Sequence, residues 1–142
     1  MKFSIQLEVP SNPELLGVVR GVVKQVAAVR GFSEEQCRAL TLGVDEAVTN
    51  IIRHAYHNER DRSIRLTFRG DDAGLEFVLE DEGGPADPEK LRGKPMDELR
   101  AGGRGTQLIR KTMDAVEYER RPEGNRLRLV KNLAPAAREE TS

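Results

Sequence analysis

Five short stretches of this chain alternate apolar and polar side chains, and that period of two constrains the fold more than any other feature. Phe3, Ile5, Leu7 and Val9 open the series. Ile64, Leu66 and Phe68 follow, then Leu75, Phe77 and Leu79, then Val116 and Tyr118, then Leu127 and Leu129. Alternation of this kind marks a strand with one buried face and one wet face. Gly70-Asp71-Asp72-Ala73-Gly74 separates the second and third stretches, and Pro122-Glu123-Gly124-Asn125 the fourth and fifth. Turn residues between alternating runs predict hairpins, hence a mostly antiparallel sheet that needs only one apolar face.

Two segments change to helical spacing. Leu15, Leu16, Val19, Val22, Val23, Val26 and Val29 precede a stop at Gly31, and Ser11 and Asn12 offer capping oxygens ahead of Pro13. Ser33 with Gln36 has the form of a capping box, opening a second helix that reads through His54-Ala55-Tyr56 to the turn at Asn58–Asp61. A short third helix is expected from about Gly105 to Met113. The order is strand, helix, helix, strand, strand, long loop, helix, strand, strand. It predicts an α+β fold: a two-layer α/β sandwich, mostly antiparallel, with the helices on one face. At 142 residues the chain has length for one domain, read as 1–133, with a polar tail at 134–142.

Charge narrows the function classes. Twenty-three basic and twenty-four acidic side chains leave a net charge of −1, which gives no footprint for nucleic acid or an anionic membrane. Aromatic residues are 4% with no Trp, so base-stacking platforms are not expected. The single cysteine, Cys37, allows no internal disulfide and reads as a small buried filler. No apolar run approaches the roughly 20 residues of a membrane span, and the opening MKFSIQLEVP lacks a signal-peptide core. A cytoplasmic setting is expected.

Three segments carry chemistry. On the second helix Leu40, Val44, Ala47, Val48, Ile51 and Ala55 share one arc, and Glu46, Asn50 and His54 form a slanting polar line beside it. Each step of four residues advances only about 40° around the axis, so the line follows the rim of the core. A carboxamide there suits a hard cation such as Mg²⁺, and a carboxylate one turn away can act as a general base. A polar line on a helix boundary is also ordinary by itself. Asp81-Glu82-Gly83-Gly84-Pro85 follows a strand; an Asp at such an end can accept from an exocyclic amine, and glycines let a planar ring approach the backbone. The same run can also be a plain turn. Gly102-Gly103-Arg104-Gly105-Thr106 runs into a helix, where free N–H groups favour phosphate, although the run matches neither a P-loop nor a dinucleotide fingerprint.

In this order the three segments resemble one family. Glu46-Ala47-Val48-Thr49-Asn50-Ile51-Ile52-Arg53-His54-Ala55-Tyr56 is similar to the N box of bacterial anti-sigma-factor serine/threonine protein kinases, members of the histidine-kinase-like ATPase superfamily. Asp81-x-Gly83-x-Pro85-x-Asp87-Pro88 resembles their first glycine box. Gly103-x-Gly105-x-x-Leu108-Ile109, with Met113-Asp114 beyond, resembles the second. The likeness runs from about residue 3 to 133.

The resemblance implies a histidine-kinase-like ATPase fold that binds ATP and Mg²⁺. Asn50 would hold the metal, and Glu46 would be the catalytic carboxylate. Asp81 would hold the adenine amine, with Gly83 beside the ring. Leu91 to Gly102 would form a lid, and Gly103, Arg104, Gly105 and Thr106 would meet the phosphates. His54 would order the pocket, and His57 would lie at the surface. It further implies a small STAS-type anti-sigma-factor antagonist as phosphoacceptor, a sigma factor as the competing partner, and a homodimer. The chain departs from the family at Ala86, usually Phe; at Thr106-Gln107; and at Asn125, often a Thr that helps bind adenine. These departures set a second reading beside the first, a regulator that binds nucleotide and sequesters a partner without turnover. A detached histidine kinase domain fits less well, because no long dimerisation helix with a phosphoacceptor histidine is present.

Overall fold

The computed structural model describes residues 1–85 and 104–134. Strand β1 (Phe3–Pro10) leads through a 3₁₀ turn (Pro13–Leu15) into α1 (Leu16–Arg30) and α2 (Glu34–Asn50). Then come β2 (Ser63–Gly70), β3 (Gly74–Asp81), α3 (Arg104–Thr112), β4 (Ala115–Arg121) and β5 (Gly124–Asn132). The strands form one sheet in the order β1-β2-β3-β5-β4, and every neighbouring pair is antiparallel. The α+β sandwich is therefore as the alternation predicts.

Register explains the layering. Phe68 and Phe77 face each other across β2 and β3, Leu66 pairs Leu79, and Phe77 and Leu79 pair Leu129 and Leu127 on β5. Period two sends all of them to one side, where they join Val19, Val23, Leu40, Val44 and Val48 from the helices in a single core. Phe68 and Phe77 meet edge to face, with ring centroids 5.9 Å apart. The opposite side of the sheet is charged. Glu76 lies between Arg69 and Arg128, Arg128 also reaches Glu117, and Arg121 pairs with Glu80. Burial works to raise the Glu76 carboxyl, but the bond from Arg128, with Arg69, holds it below the ordinary range. Its contribution to stability is thus present at neutral pH and lost on acidification through the lowered pKa.

The helix signals act as read, with two refinements at the first start. Asn12 caps it by accepting from the Glu14 N–H at 2.9 Å, and Pro13 fills the first turn. Ser11 is instead buried: its hydroxyl donates to the Glu59 carbonyl at 2.5 Å and accepts from the Arg62 N–H at 3.1 Å. Gly31 closes α1 at φ 108°, a left-handed cap that glycine adopts without steric cost. The capping box is reciprocal: Gln36 N–H donates to Ser33 Oγ at 3.1 Å, and Ser33 N–H donates to Gln36 Oε1 at 2.9 Å. Ser33→Ala is expected to lower stability by about 1 kcal/mol, read as a lower urea midpoint at unchanged slope.

Two boundaries differ from the sequence reading. The second helix does not stay α to Tyr56; from Ile51 to Ala55 it widens into a π turn. The Pro122–Asn125 turn contracts to a two-residue loop, because Gly124 already pairs with Arg121 and Asn125 with Arg120. Asn125 therefore belongs to a strand. The predicted lid, Ala86 and Gly103 fall outside the described residues, as does the tail beyond Ala134.

Candidate functional site

One row of the sheet breaks the apolar rule. Asp81 follows Phe77 and Leu79 at period two, so it points to the helix side with them. Register sets Ile64 and Asn125 on either side of Asp81, and Arg120 beyond Asn125. Three polar side chains thus lie abreast at the edge of the core. Asp81 is 4% exposed and Asn125 equally so. A carboxylate in such a place needs donors. The Gly83 N–H donates to Asp81 Oδ1 at 2.9 Å, and Asn125 Nδ2 donates to the same oxygen at 2.8 Å. Burial still outweighs them and pushes the Asp81 carboxyl above its ordinary range, with Gly83, Asn125 and Arg120 pulling the other way.

The segment after Asp81 is docked on the end of the second helix. A Cβ at Gly83 would sit 2.4 Å from the Ala55 carbonyl oxygen, so only glycine lets the two backbones approach. The sequence reading assigned this glycine to ring approach; contact with Ala55 is a second and independent demand. Gly84 N–H then donates to that carbonyl at 3.2 Å. The π turn makes this possible by redistributing the helix's last carbonyls: Ile51 accepts from Tyr56 N–H at 3.0 Å and Ile52 from Asn58 N–H at 2.7 Å. Single π turns of this sort are often found at functional sites.

Tyr56 locks the same junction. Its side chain is fully buried, its hydroxyl accepts from the Glu82 N–H at 2.7 Å, and it donates to the Ser63 carbonyl. Arg62 lies over the ring at 4.6 Å and donates to the Glu82 carbonyl at 3.2 Å. Tyr56→Phe takes the hydroxyl from a part-buried N–H and a part-buried carbonyl, so a loss of about 1–2 kcal/mol is expected in denaturant unfolding.

Asn50 is the last residue of α2, directly before the π turn that carries Ala55, and Glu46 lies one turn earlier. Both are half-buried, on the rim of the core as the wheel predicts. His54 leaves that line and is exposed, because the widened turn ends the α spacing between residues 50 and 54; it keeps interactions of its own. His57 is exposed, as expected. Of the second glycine segment, the backbone of Arg104, Gly105 and Thr106 opens α3, which packs on α2. Their side chains are outside the described residues.

The donor chemistry fits a magnesium nucleotide. Among the described residues no three His, Cys, Asp or Glu side chains gather to cage a metal. Mg²⁺ needs no such cage, since it keeps waters and substrate phosphates and takes one or two protein oxygens, a role open to the Asn50 carboxamide. Asp81, backed by donors and held at a backbone junction, has the chemistry to accept from an amine.

Residues 9–131 match the family described as the histidine kinase-like ATPase domain. Serine-protein kinase RsbW of Oceanobacillus iheyensis is 35% identical over 121 residues, covering 80% of this chain and 77% of its own. This chain belongs to the RsbW-type serine kinases of the histidine kinase-like ATPase family. The RsbW of Listeria monocytogenes is 34% identical over 129 residues, covering 82% of this chain and 80% of its own. The RsbW of Bacillus subtilis is 28% identical over 123 residues, covering 81% and 77%. A histidine kinase domain from the Erythrobacter litoralis EL346 blue-light activated histidine kinase shares the fold. Its TM-score is 0.52 at 18% identity, over 93% of this chain and 64% of that one.

Sequence reasoning singled out Glu46, Asn50, Asp81 and Gly83 but did not foresee what surrounds Asp81. Asn125 was noted only as a departure; Tyr118 and Arg120 were not singled out as site residues. The available signal was parity. Asn125 shares the face of Leu127 and Leu129, as Asp81 shares that of Leu79, so two polar residues were pointing into one core. No helix among the described residues is long and apolar enough to cross a membrane.

Proposed function

We propose that this protein is an ATP-dependent serine/threonine kinase and anti-sigma factor of a partner-switching module, acting in the cytoplasm as a homodimer. Its phosphoacceptor is a small STAS-type antagonist, and the unmodified antagonist competes with a sigma factor for the kinase. Nucleic acid and membrane are not direct partners. The observation that carries the reading is the docking of the Asp81–Gly84 segment onto the end of the helix that bears Glu46 and Asn50, in an RsbW-type chain.

Each residue then has a task. Asp81 accepts from the adenine amine, and Gly83 gives the ring room. Asn50 offers its carboxamide oxygen to Mg²⁺, while Gly103, Arg104, Gly105 and Thr106 bring donors to the phosphates. Bound Mg-ATP supplies the γ-phosphoryl group and the charge that offsets its negative oxygens. Glu46 takes the proton from the acceptor hydroxyl as the new P–O bond forms and the bond to ADP breaks.

Incubation with Mg-ATP and a STAS-type antagonist is expected to yield phosphoserine or phosphothreonine on the antagonist, detected by mass spectrometry. Asn50→Ala is expected to lower the rate at least tenfold, roughly the loss of one charge-stabilising contact. Equal rates for Asn50→Ala and wild type would refute the assignment. ATP binding and sigma-factor capture with no phosphorylated product would favour the non-catalytic regulator instead, a reading the replacement of Thr by Asn125 keeps in view.

A further inference from the structure

Resting on that kinase reading, we propose that Leu42 is a specificity-determining contact for the protein acceptor: an apolar side chain beside the accepting serine or threonine covers it as the hydroxyl reaches Glu46. Among the described residues, the large apolar side chains left exposed are Met1, Ile5, Val18, Val29 and Leu42. A lone exposed leucine is ordinary on any surface. The place of this one is not. Ile5 lies on β1, and Val18 and Val29 lie on α1. Leu42 lies on α2, the helix that carries Glu46 and Asn50. Residues 42, 46 and 50 are four apart, so they follow one slanting line, each about 6 Å along the axis from the next.

Both flanks of that line are already engaged. Gly43 is buried toward α3, and a Cβ there would stand 3.3 Å from the terminal methyl of Met113, the residue after that helix. Asp45 turns the other way, to α1, where it accepts from Arg20 Nη1 at 2.9 Å. Between these contacts Leu42 is 48% exposed and Glu46 half-buried. Helical side chains lean toward the N-terminus of their helix, so the Glu46 carboxylate inclines toward Leu42. The other end of the line is assigned to Asn50, Mg²⁺ and the phosphates. Attacking and leaving oxygens stand roughly in line in phosphoryl transfer, so the acceptor enters from the Leu42 end. Its hydroxyl must come within about 3 Å of the carboxylate, and the polypeptide that carries it then crosses the turn holding Leu42. An apolar residue at the crossing takes leucine surface out of water, whereas a charged one is desolvated against it without a partner. The contact is the same before and during transfer, so it acts on the KM for the acceptor and not on kcat.

The test is steady-state phosphorylation of a STAS-type antagonist by the full chain at saturating Mg-ATP, with Mg-ATP affinity measured separately by calorimetry. Leu42→Gln keeps helix propensity and nearly the same length but makes the side chain polar. It is expected to raise the KM for the antagonist about tenfold, the scale of losing the burial of a half-exposed leucine. Its kcat and its Mg-ATP affinity are expected to stay within about twofold of wild type. Leu42→Met returns an apolar side chain of similar volume and is expected to bring KM back to within about threefold. A loosened site would weaken Mg-ATP as well, and a part in the chemistry would lower kcat. A KM for Leu42→Gln within about twofold of wild type overturns the inference while the kinase reading stands. A fall in kcat or in Mg-ATP affinity in place of the rise in KM overturns it too. Wild type that leaves the antagonist unphosphorylated removes the underlying reading as well.

Discussion

Gly124→Ala is expected to cost at least about 3 kcal/mol, enough to unfold much of a protein whose total stability is of the order of 5–15 kcal/mol. Gly124 begins β5 at φ 159°, and an added Cβ would stand 1.8 Å from the Asp81 carbonyl oxygen and 2.7 Å from Glu82 Cα. These are backbone atoms of the neighbouring strand, so no rotamer change relieves the clash. The only response is to separate β5 from β3 where the polar row lies. Urea unfolding followed by circular dichroism should show a much lower midpoint, and at temperatures where the variant is still folded nucleotide affinity should fall too. A midpoint within experimental error of wild type would mean that the β3–β5 register is wrong.

Asp81→Asn is expected to do two opposite things, losing nucleotide affinity about a hundredfold or more while raising the stability of the free protein by about 1 kcal/mol. The first follows because the amide nitrogen meets the base amine donor to donor. The second follows from the sign of the pKa shift. Burial raises the folded-state value above the ordinary 3.8, so the folded protein holds its proton more tightly than the unfolded chain. As pH rises from the ordinary value through the raised one, the unfolded state gives up its proton first, and stability falls across that window. Above it the cost of the buried charge stays in full. The substituted carboxamide would keep an oxygen for the Gly83 and Asn125 donors without carrying charge, so the cost disappears. Melting temperatures of both proteins measured from acid to neutral pH should converge at the acid end and separate at the neutral end. A variant less stable than wild type at neutral pH would show that the carboxylate supports the fold rather than burdening it.

This opposition is what a binding residue in a core row should produce, and it explains why parity alone misleads there. The position after Phe77 and Leu79 calls for an apolar side chain, and Asp81 takes it against the local rule. Rule-breaking residues of this kind tend to be functional.

Much of this protein was legible in one dimension. Period two at residues 3–9, 64–68, 75–79, 116–118 and 127–129 specifies strands. The 3.6 period with caps at Asn12, Ser33 and Gly31 specifies two helices, because both signals are local and repeat with the backbone's own geometry. The polar rim at Glu46 and Asn50 was legible for the same reason. What only the tertiary structure decided were contacts between segments far apart in the chain. The π turn exists where Ala55 meets Gly83 and Gly84, a packing demand arising some thirty residues away that no helical wheel contains. The alignment of Asp81, Asn125 and Arg120 depends on how three strands pair, and a shift of one residue in any of them would turn a side chain to the opposite face. Periodicity says which way each residue faces; the register says which residue it faces, and the site is made of the second.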